Sequence, residues 1–131
     1  MFKYGIDHLT VDIAMAIADG SQKAIIDEQA KRNINSCRKK VETIANSDKA
    51  VYGINTGFGP LCDVQITPEE TSKLQENLLI THAVGVGNPI DKQLSKLMMI
   101  CKVHALCQGY SGVRLELIER ILYFIDNNLL P

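Results

Sequence analysis

Apolar residues recur at three- and four-residue spacing through most of this chain, a period that predicts helices. Leu9, Ile13, Ala16 and Ile17 make one stripe over Thr10–Asp19, and Gly20 supplies a stop. A longer helix is predicted over about Asp27–Asn46, carried by Ile34, Cys37, Val41, Ile44 and Ala45. Thr67-Pro68-Glu69-Glu70 reads as a helix start, with Thr67 as N-cap, Pro68 in the first helical position and Glu70 closing a capping box. That third helix runs through Leu74, Leu78 and Thr81, with Leu79 and Ile80 alongside, until Gly85-Val86-Gly87-Asn88-Pro89 ends it. Asp91 caps a fourth helix through Leu94, Leu97, Met98, Cys101 and Ala105 to Gln108. Gly109-Tyr110-Ser111-Gly112 breaks it. A last helix spans about Val113–Asn127, with Leu117, Ile121, Phe124 and Ile125 inward and Glu116–Arg120 as a surface pair.

The helical pattern fails between the second and third helices. Val51-Tyr52-Gly53-Ile54-Asn55-Thr56-Gly57-Phe58-Gly59-Pro60 holds three glycines and a proline, which no helix interior tolerates. No alternating strand pattern of useful length appears outside that loop. The expected class is all-α, one domain over residues 1–131, with about five helices and one irregular glycine-rich loop.

Charge removes whole classes of partner. Fourteen Lys and Arg stand against 15 Asp and Glu, a formal net charge of −1, so there is no broad positive field for nucleic acid or an anionic membrane. No run of about 18 apolar residues and no basic-then-apolar leader is legible, so the expectation is a cytoplasmic protein with no membrane and no nucleic-acid partner. In that compartment Cys37, Cys62, Cys101 and Cys107 are expected as reduced thiols. Cys101-x2-His104-x2-Cys107 is the nearest thing to a metal pattern. On a helix these positions fan over about a third of the circumference and have no fourth ligand nearby, so helix packing is the reading and no metal is expected. Lys31, Arg32, Arg38, Lys39 and Lys40 read likewise as a solvated helix face.

The loop at 52–59 is where chemistry is expected. It fits neither the dinucleotide nor the phosphate-loop fingerprint. A second glycine pair, Gly85-x-Gly87, follows His82 closely. Tyr52 and His82 thus lie at the edges of two irregular segments on either side of one helix, a phenol and an imidazole able to share a cleft; an ordinary tight turn and a helix-terminal histidine are the plainer reading.

Tyr52-Gly-Ile-Asn-Thr-Gly-Phe-Gly59, then Leu74-Gln-x-Asn-Leu-Leu79, then Thr81-His-Ala-x-Gly-x-Gly87 resembles the histidine ammonia-lyase branch of the aromatic amino-acid lyases. Leu94 through Lys102 and Gly109-Tyr-Ser-Gly-Val-Arg114 continue the likeness, which covers essentially the whole chain and is tightest over 51–114. The resemblance implies the amino-terminal domain of the L-aspartase/fumarase-like, histidase-type fold. It also implies removal of ammonia from a small amino-acid substrate by β-elimination, here L-histidine to trans-urocanate. The obstacle is a barely acidic β-proton and a poor amine leaving group. The family meets it with a built-in electrophile, methylidene-imidazolone (MIO), made from an internal Ala-Ser-Gly triplet, while a positioned base takes the proton.

By this resemblance Tyr52 is the catalytic acid/base. A free phenol, with a pKa of about 10, is mostly protonated at neutral pH, so the role needs surroundings that favour the phenolate. Asn55, Thr56, Gly57, Phe58 and Gly59 would hold it and line the substrate pocket. Thr81 and His82 would choose the substrate: histidine lyases carry Ser-His there, tyrosine lyases His-Leu and phenylalanine lyases commonly Phe-Leu. His82 can exchange hydrogen bonds with an imidazole, whereas a phenyl ring would leave it unpaired. The departures are Thr81 for Ser, Gln108 where many relatives have Arg, and Pro60 after the glycine motif. The larger one is that the chain has no Ala-Ser-Gly; its Ser111-Gly112 follows Tyr110.

The expectation is therefore an amino-terminal portion of a longer lyase, inactive alone, with the electrophile in a central helical domain beyond Pro131. Full-length relatives are homotetramers whose active sites draw on three subunits, so the isolated portion would expose apolar surface. A tyrosine or phenylalanine ammonia-lyase, an aminomutase of the same family, and a catalytically silent helical binding module are the alternatives.

Overall fold

A computed structural model describes residues 1–61 and 63–131 of the chain; Cys62, one of the expected thiols, lies outside the described residues. Five helices form where the apolar spacing predicts them: α1 (Val11–Asp19), α2 (Glu28–Ala45), α3 (Pro68–His82), α4 (Lys92–Cys107) and α5 (Leu115–Asp126). Their ends follow local chemistry. The Thr10 hydroxyl accepts from the Ile13 N–H at 3.3 Å to open α1, and Gly20 closes it in the left-handed region at φ 85°. One Asp91 carboxylate oxygen accepts from the N–H groups of Gln93 and Leu94, which starts α4.

Two short strands were not expected. β1 (Phe2–Tyr4) pairs in parallel with β2 (Ala24–Ile26), Phe2 opposite Ala24 and Tyr4 opposite Ile26. Phe2 and Tyr4 are buried and Lys3 is exposed, so the alternation is present, but three residues are too few to read as a period. The pair is closed by a distant partner, 22 residues along the chain, that only folding supplies. Among the described residues a 3₁₀ turn at Gly59–Leu61 completes the regular structure.

The chain divides into two compact units, residues 1–39 with 89–131, and residues 40–88. The first holds the hydrophobic core. Phe2 and Tyr4 meet Ala14, Ile17 and Ala18 of α1, Ala30 and Ile34 of α2, Ile100, Val103, Leu106 and Cys107 of α4, and Ile118 and Ile125 of α5. Two predicted stripes are corrected here. In α5 Ile125 is buried and Ile121 half-buried as expected, but Ile118 is buried in place of Leu117, which is exposed, and no described ion pair joins Glu116 to Arg120. In α4 Leu97 packs against the core, whereas Leu94, Met98, Cys101 and Ala105 of the same predicted series face outward, with Leu94 56% and Met98 64% exposed. This helix is apolar on two sides, so periodicity alone does not say which side the domain buries. Among the described residues no helix is long and apolar enough to cross a membrane.

Cys101, His104 and Cys107 do not converge on one point. Cys101 is exposed, and Cys107 is buried with its thiol pushed up to about 12 by loss of hydration. His104 turns instead to the end of β1, where its Nδ1 accepts from the Gly5 N–H at 3.2 Å. Its ring centroid lies 5.7 Å from that of Phe2 and 6.5 Å from that of Tyr4. Gly5 sits at φ 76°, and a Cβ there would come within 2.3 Å of the Cys107 carbonyl oxygen. Both the left-handed backbone and the close approach require glycine. Gly5→Ala should cost about 2–4 kcal/mol, measured as a lowered thermal midpoint of the isolated protein.

The same contact has a pH signature. Burial holds His104 below its ordinary pKa of 6.5, His8 adds to the depression and Asp7 opposes it. As pH falls below about 6.5 the unfolded chain takes up this proton first. The contribution of His104 is therefore complete above that pH and declines as pH drops toward the folded-state value. Because a glutamine can offer Gly5 an acceptor without titrating, His104→Gln should flatten this part of the stability–pH curve.

Candidate active site

The unit formed by residues 40–88 carries Tyr52, His82 and the glycine-rich loop. Its frame begins where α2 runs out. The last carbonyls of a helix lack partners from a following turn, and here several are met locally. The Asn46 backbone and side-chain amides both donate to the Glu42 carbonyl, and the Ser47 hydroxyl donates to that of Ile44 at 2.8 Å.

Asn55 completes the arrangement from across the loop. It is 3% exposed, and its Nδ2 donates to the carbonyls of Lys49 at 3.0 Å, Ile44 at 3.3 Å and Ser47 at 3.4 Å. Its Oδ1 accepts from the Val51 N–H at 2.8 Å. The Val51 carbonyl in turn accepts from the Ile54 and Asn55 N–H groups, which closes a turn over Tyr52-Gly53 with Gly53 at φ 79°. Thr56, also 3% exposed, pairs antiparallel with Gln65. The Gly57 N–H donates to the Val64 carbonyl, the Ile66 N–H to that of Asn55, and Gln65 Nε2 to that of Ser47 at 2.9 Å. The loop is thus stitched at its base and presents its tip.

Tyr52 precedes that stitched segment, on the turn closed by the Val51 carbonyl, and is 63% exposed. Its ring meets Phe58 edge to face at 6.1 Å and 74°. The expected loop residues therefore separate into two groups. Tyr52, Phe58 and Gly59 are exposed, while Asn55, Thr56 and Gly57 are buried, with the Asn55 amide and the Thr56 hydroxyl bonded inward. Gln65 and the carbonyls of Ile44, Ser47 and Lys49 went unnoticed in the sequence, since no periodic or motif signal marks a backbone carbonyl as a partner.

At the other end of the unit α3 begins as its sequence predicts. The Thr67 hydroxyl accepts from the Glu70 N–H at 3.2 Å and a Glu70 carboxylate oxygen accepts from the Thr67 N–H at 3.1 Å, with Pro68 first in the helix. Thr81 and His82 lie in its last turn. The Thr81 hydroxyl donates to the Asn77 carbonyl at 2.8 Å. His82 Nδ1 lies 2.9 Å from the Leu78 carbonyl and 3.1 Å from Thr81 Oγ1. A carbonyl only accepts, so Nδ1 is the donor in this contact, which leaves Nε2 for another partner. Gln75, Leu78, Leu79, His82 and Ala83 line an open groove of about 440 Å³ beside it. Among the described residues no hydrogen bond or ring contact joins Tyr52 to His82, so these residues do not by themselves close the cleft the sequence suggests.

Comparison with solved structures defines the class first. The chain superposes on histidine ammonia-lyase from Trypanosoma cruzi with a TM-score of 0.83 at 31% identity, covering 95% of this chain and 24% of that one. Tyrosine aminomutase from Streptomyces globisporus gives 0.84 at 23% identity over 95% of this chain and 24% of its own, a likeness of fold. In sequence, histidine ammonia-lyase of Streptococcus gordonii is 39% identical over 125 residues, 95% of this chain and 24% of that protein. The aromatic amino acid lyase family model matches residues 9–131, and the chain belongs to that family. It spans about a quarter of the length of the curated relatives it matches (24%).

The capping box offers a direct check on this unit. Thr67→Ala removes the acceptor for the Glu70 N–H and should cost about 1 kcal/mol, read as faster amide exchange in the first turn of α3 while the core of the other unit is unchanged.

Proposed function

We propose that this chain is the amino-terminal portion of an ammonia-lyase that converts L-histidine to trans-urocanate and ammonia, with Tyr52 as the catalytic acid/base. The observation that carries the reading is the exposed phenol on a loop braced from behind by buried polar contacts. General acid–base catalysis needs a group both accessible to substrate and fixed in place. The 39% identity to a histidine ammonia-lyase over 95% of the chain supports the same reaction class.

Thr81 and His82 are proposed to set substrate choice. With Nδ1 tied to its own helix, His82 offers one free ring nitrogen, and a substrate imidazole can meet it with a hydrogen bond that a phenyl ring cannot. Phe58 and Gly59 are proposed as pocket lining on the Tyr52 side, with Asn55, Thr56 and Gly57 supporting them from behind.

The residues present do not supply the electrophile. There is no Ala-Ser-Gly in the sequence, and Ser111-Gly112 is engaged otherwise, Gly112 being buried with its carbonyl accepting from Arg38 at 3.3 Å. MIO is therefore proposed to come from a triplet outside residues 1–131. A homotetrameric, cytoplasmic enzyme completes the proposal. The exposed apolar positions Leu94, Met98, Leu79, Ile80 and Val86 support it, as surface of the kind an assembly covers.

Three outcomes are expected. In the full-length enzyme Tyr52→Phe should lower kcat by about 10²–10⁴-fold while the protein stays folded; near-normal kcat would remove Tyr52 from the role. The ratio of kcat/KM should favour histidine over tyrosine and phenylalanine, and equal use of phenylalanine would sink the argument from His82. The 131-residue chain mixed with histidine should produce no near-ultraviolet urocanate absorbance.

A further inference from the structure

We propose that Asn55 is the positioning residue for Tyr52, a clasp that ties the turn bearing the phenol to the end of α2; the proposal rests on the reading of Tyr52 as acid/base. Val51, immediately before Tyr52, is held at both of its backbone polar groups by Asn55. The Val51 N–H donates to Asn55 Oδ1 at 2.8 Å, and the Val51 carbonyl accepts from the Asn55 N–H at 3.3 Å. The other end of the same side chain, Nδ2, reaches the carbonyls of Ile44, Ser47 and Lys49. One amide therefore bridges the last turn of a helix and the residue that precedes the phenol.

The chemistry of the site selects asparagine. It needs an acceptor for one N–H and two donor hydrogens shared among three carbonyls, in a space left 3% exposed. Aspartate keeps the acceptor but sets a negative carboxylate against three carbonyl oxygens. Glutamine's extra methylene shifts the amide away from these partners, and serine's short hydroxyl offers one donor hydrogen where the amide offers two. The Tyr52 ring itself is mostly in solvent, with Phe58 as its ring contact, so the backbone clasp fixes the point from which the phenol projects. A base displaced by about 1 Å can lose about 10²-fold in rate without losing substrate affinity.

The test pairs exchange with kinetics. In Asn55→Asp, amide exchange at Val51, Ile54 and Asn55 should quicken by about tenfold or more while α3 keeps its protection. In the full-length lyase the same variant should lower kcat by about 10²-fold with KM changed by less than about threefold. Asn55→Ala serves if the aspartate does not fold. Gln65→Ala removes a hydrogen bond to the same Ser47 carbonyl without touching Val51, and should leave kcat within about twofold. Unchanged exchange in the Asn55 variants overturns the clasp. Quickened exchange with normal kcat, alongside a dead Tyr52→Phe, overturns the positioning role. Equal loss of kcat in Gln65→Ala also overturns it, because general loosening of the loop would then suffice. Quickened exchange with full turnover in Tyr52→Phe supports the clasp and overturns the acid/base reading instead.

Discussion

The Asn55 amide reaches across the loop to the carbonyls of Ile44, in the last turn of α2, and of Ser47 and Lys49 in the segment that follows; Ser47 also donates to the first and Gln65 to the second. A buried polar group is costly unless it is paired, and the Asn55 amide, 3% exposed, finds its partners in carbonyls of three residues. In satisfying those carbonyls, Asn55 also takes the Val51 N–H, so one side chain settles two local problems at once. The rest of the loop follows from that junction. Thr56 can pair with Gln65, Phe58 can meet Tyr52, and the phenol stays exposed instead of folding into the interior. The glycines permit such a path, and the amide chooses it.

The other unit is organised by apolar burial, with one polar exception. The end of β1 packs so closely on α4 that Gly5 leaves no room for a side chain beside the Cys107 carbonyl. His104, the middle residue of an apparent ligand triplet, spends its Nδ1 on the Gly5 N–H and its ring on Phe2 and Tyr4. What looked like metal-binding spacing is a strand-end anchor, because the three side chains leave the helix in different directions and meet different surroundings. The opposite side of α4 is apolar and left uncovered by its own unit, as Leu79 and Ile80 of α3 are by theirs. A helix that is apolar around most of its circumference is stable only where two faces are buried. This chain buries one of them.

Much of this was legible in the sequence. The five helices, the capping box at Thr67, the Asp91 cap and the glycine stop at Gly20 are local features, decided within a few residues, and they form as their residues predict. The family motifs are also local strings, and the match over residues 9–131 agrees with them. The parallel strands were not legible, because Phe2–Tyr4 is ordered by a partner more than 20 residues away. Nor was the choice between the two sides of α4, or the burial of Ile118 in place of Leu117 in α5. Each of these depends on what the helix packs against.

The sequence by itself determined where helices start and stop, where the backbone must be irregular, and which residues carry the lyase motifs, since all of these rest on interactions between near neighbours. Only the tertiary structure decided which residues of the motif face outward. Asn55 and Tyr52 stand three apart in one string and look equally available for substrate. The carbonyls of Ile44, Ser47 and Lys49, brought close by the fold, draw the Asn55 amide inward and leave the phenol in the open. The physical reason is that a buried side-chain amide must find partners, and which partners it finds depends on the path of the chain through space.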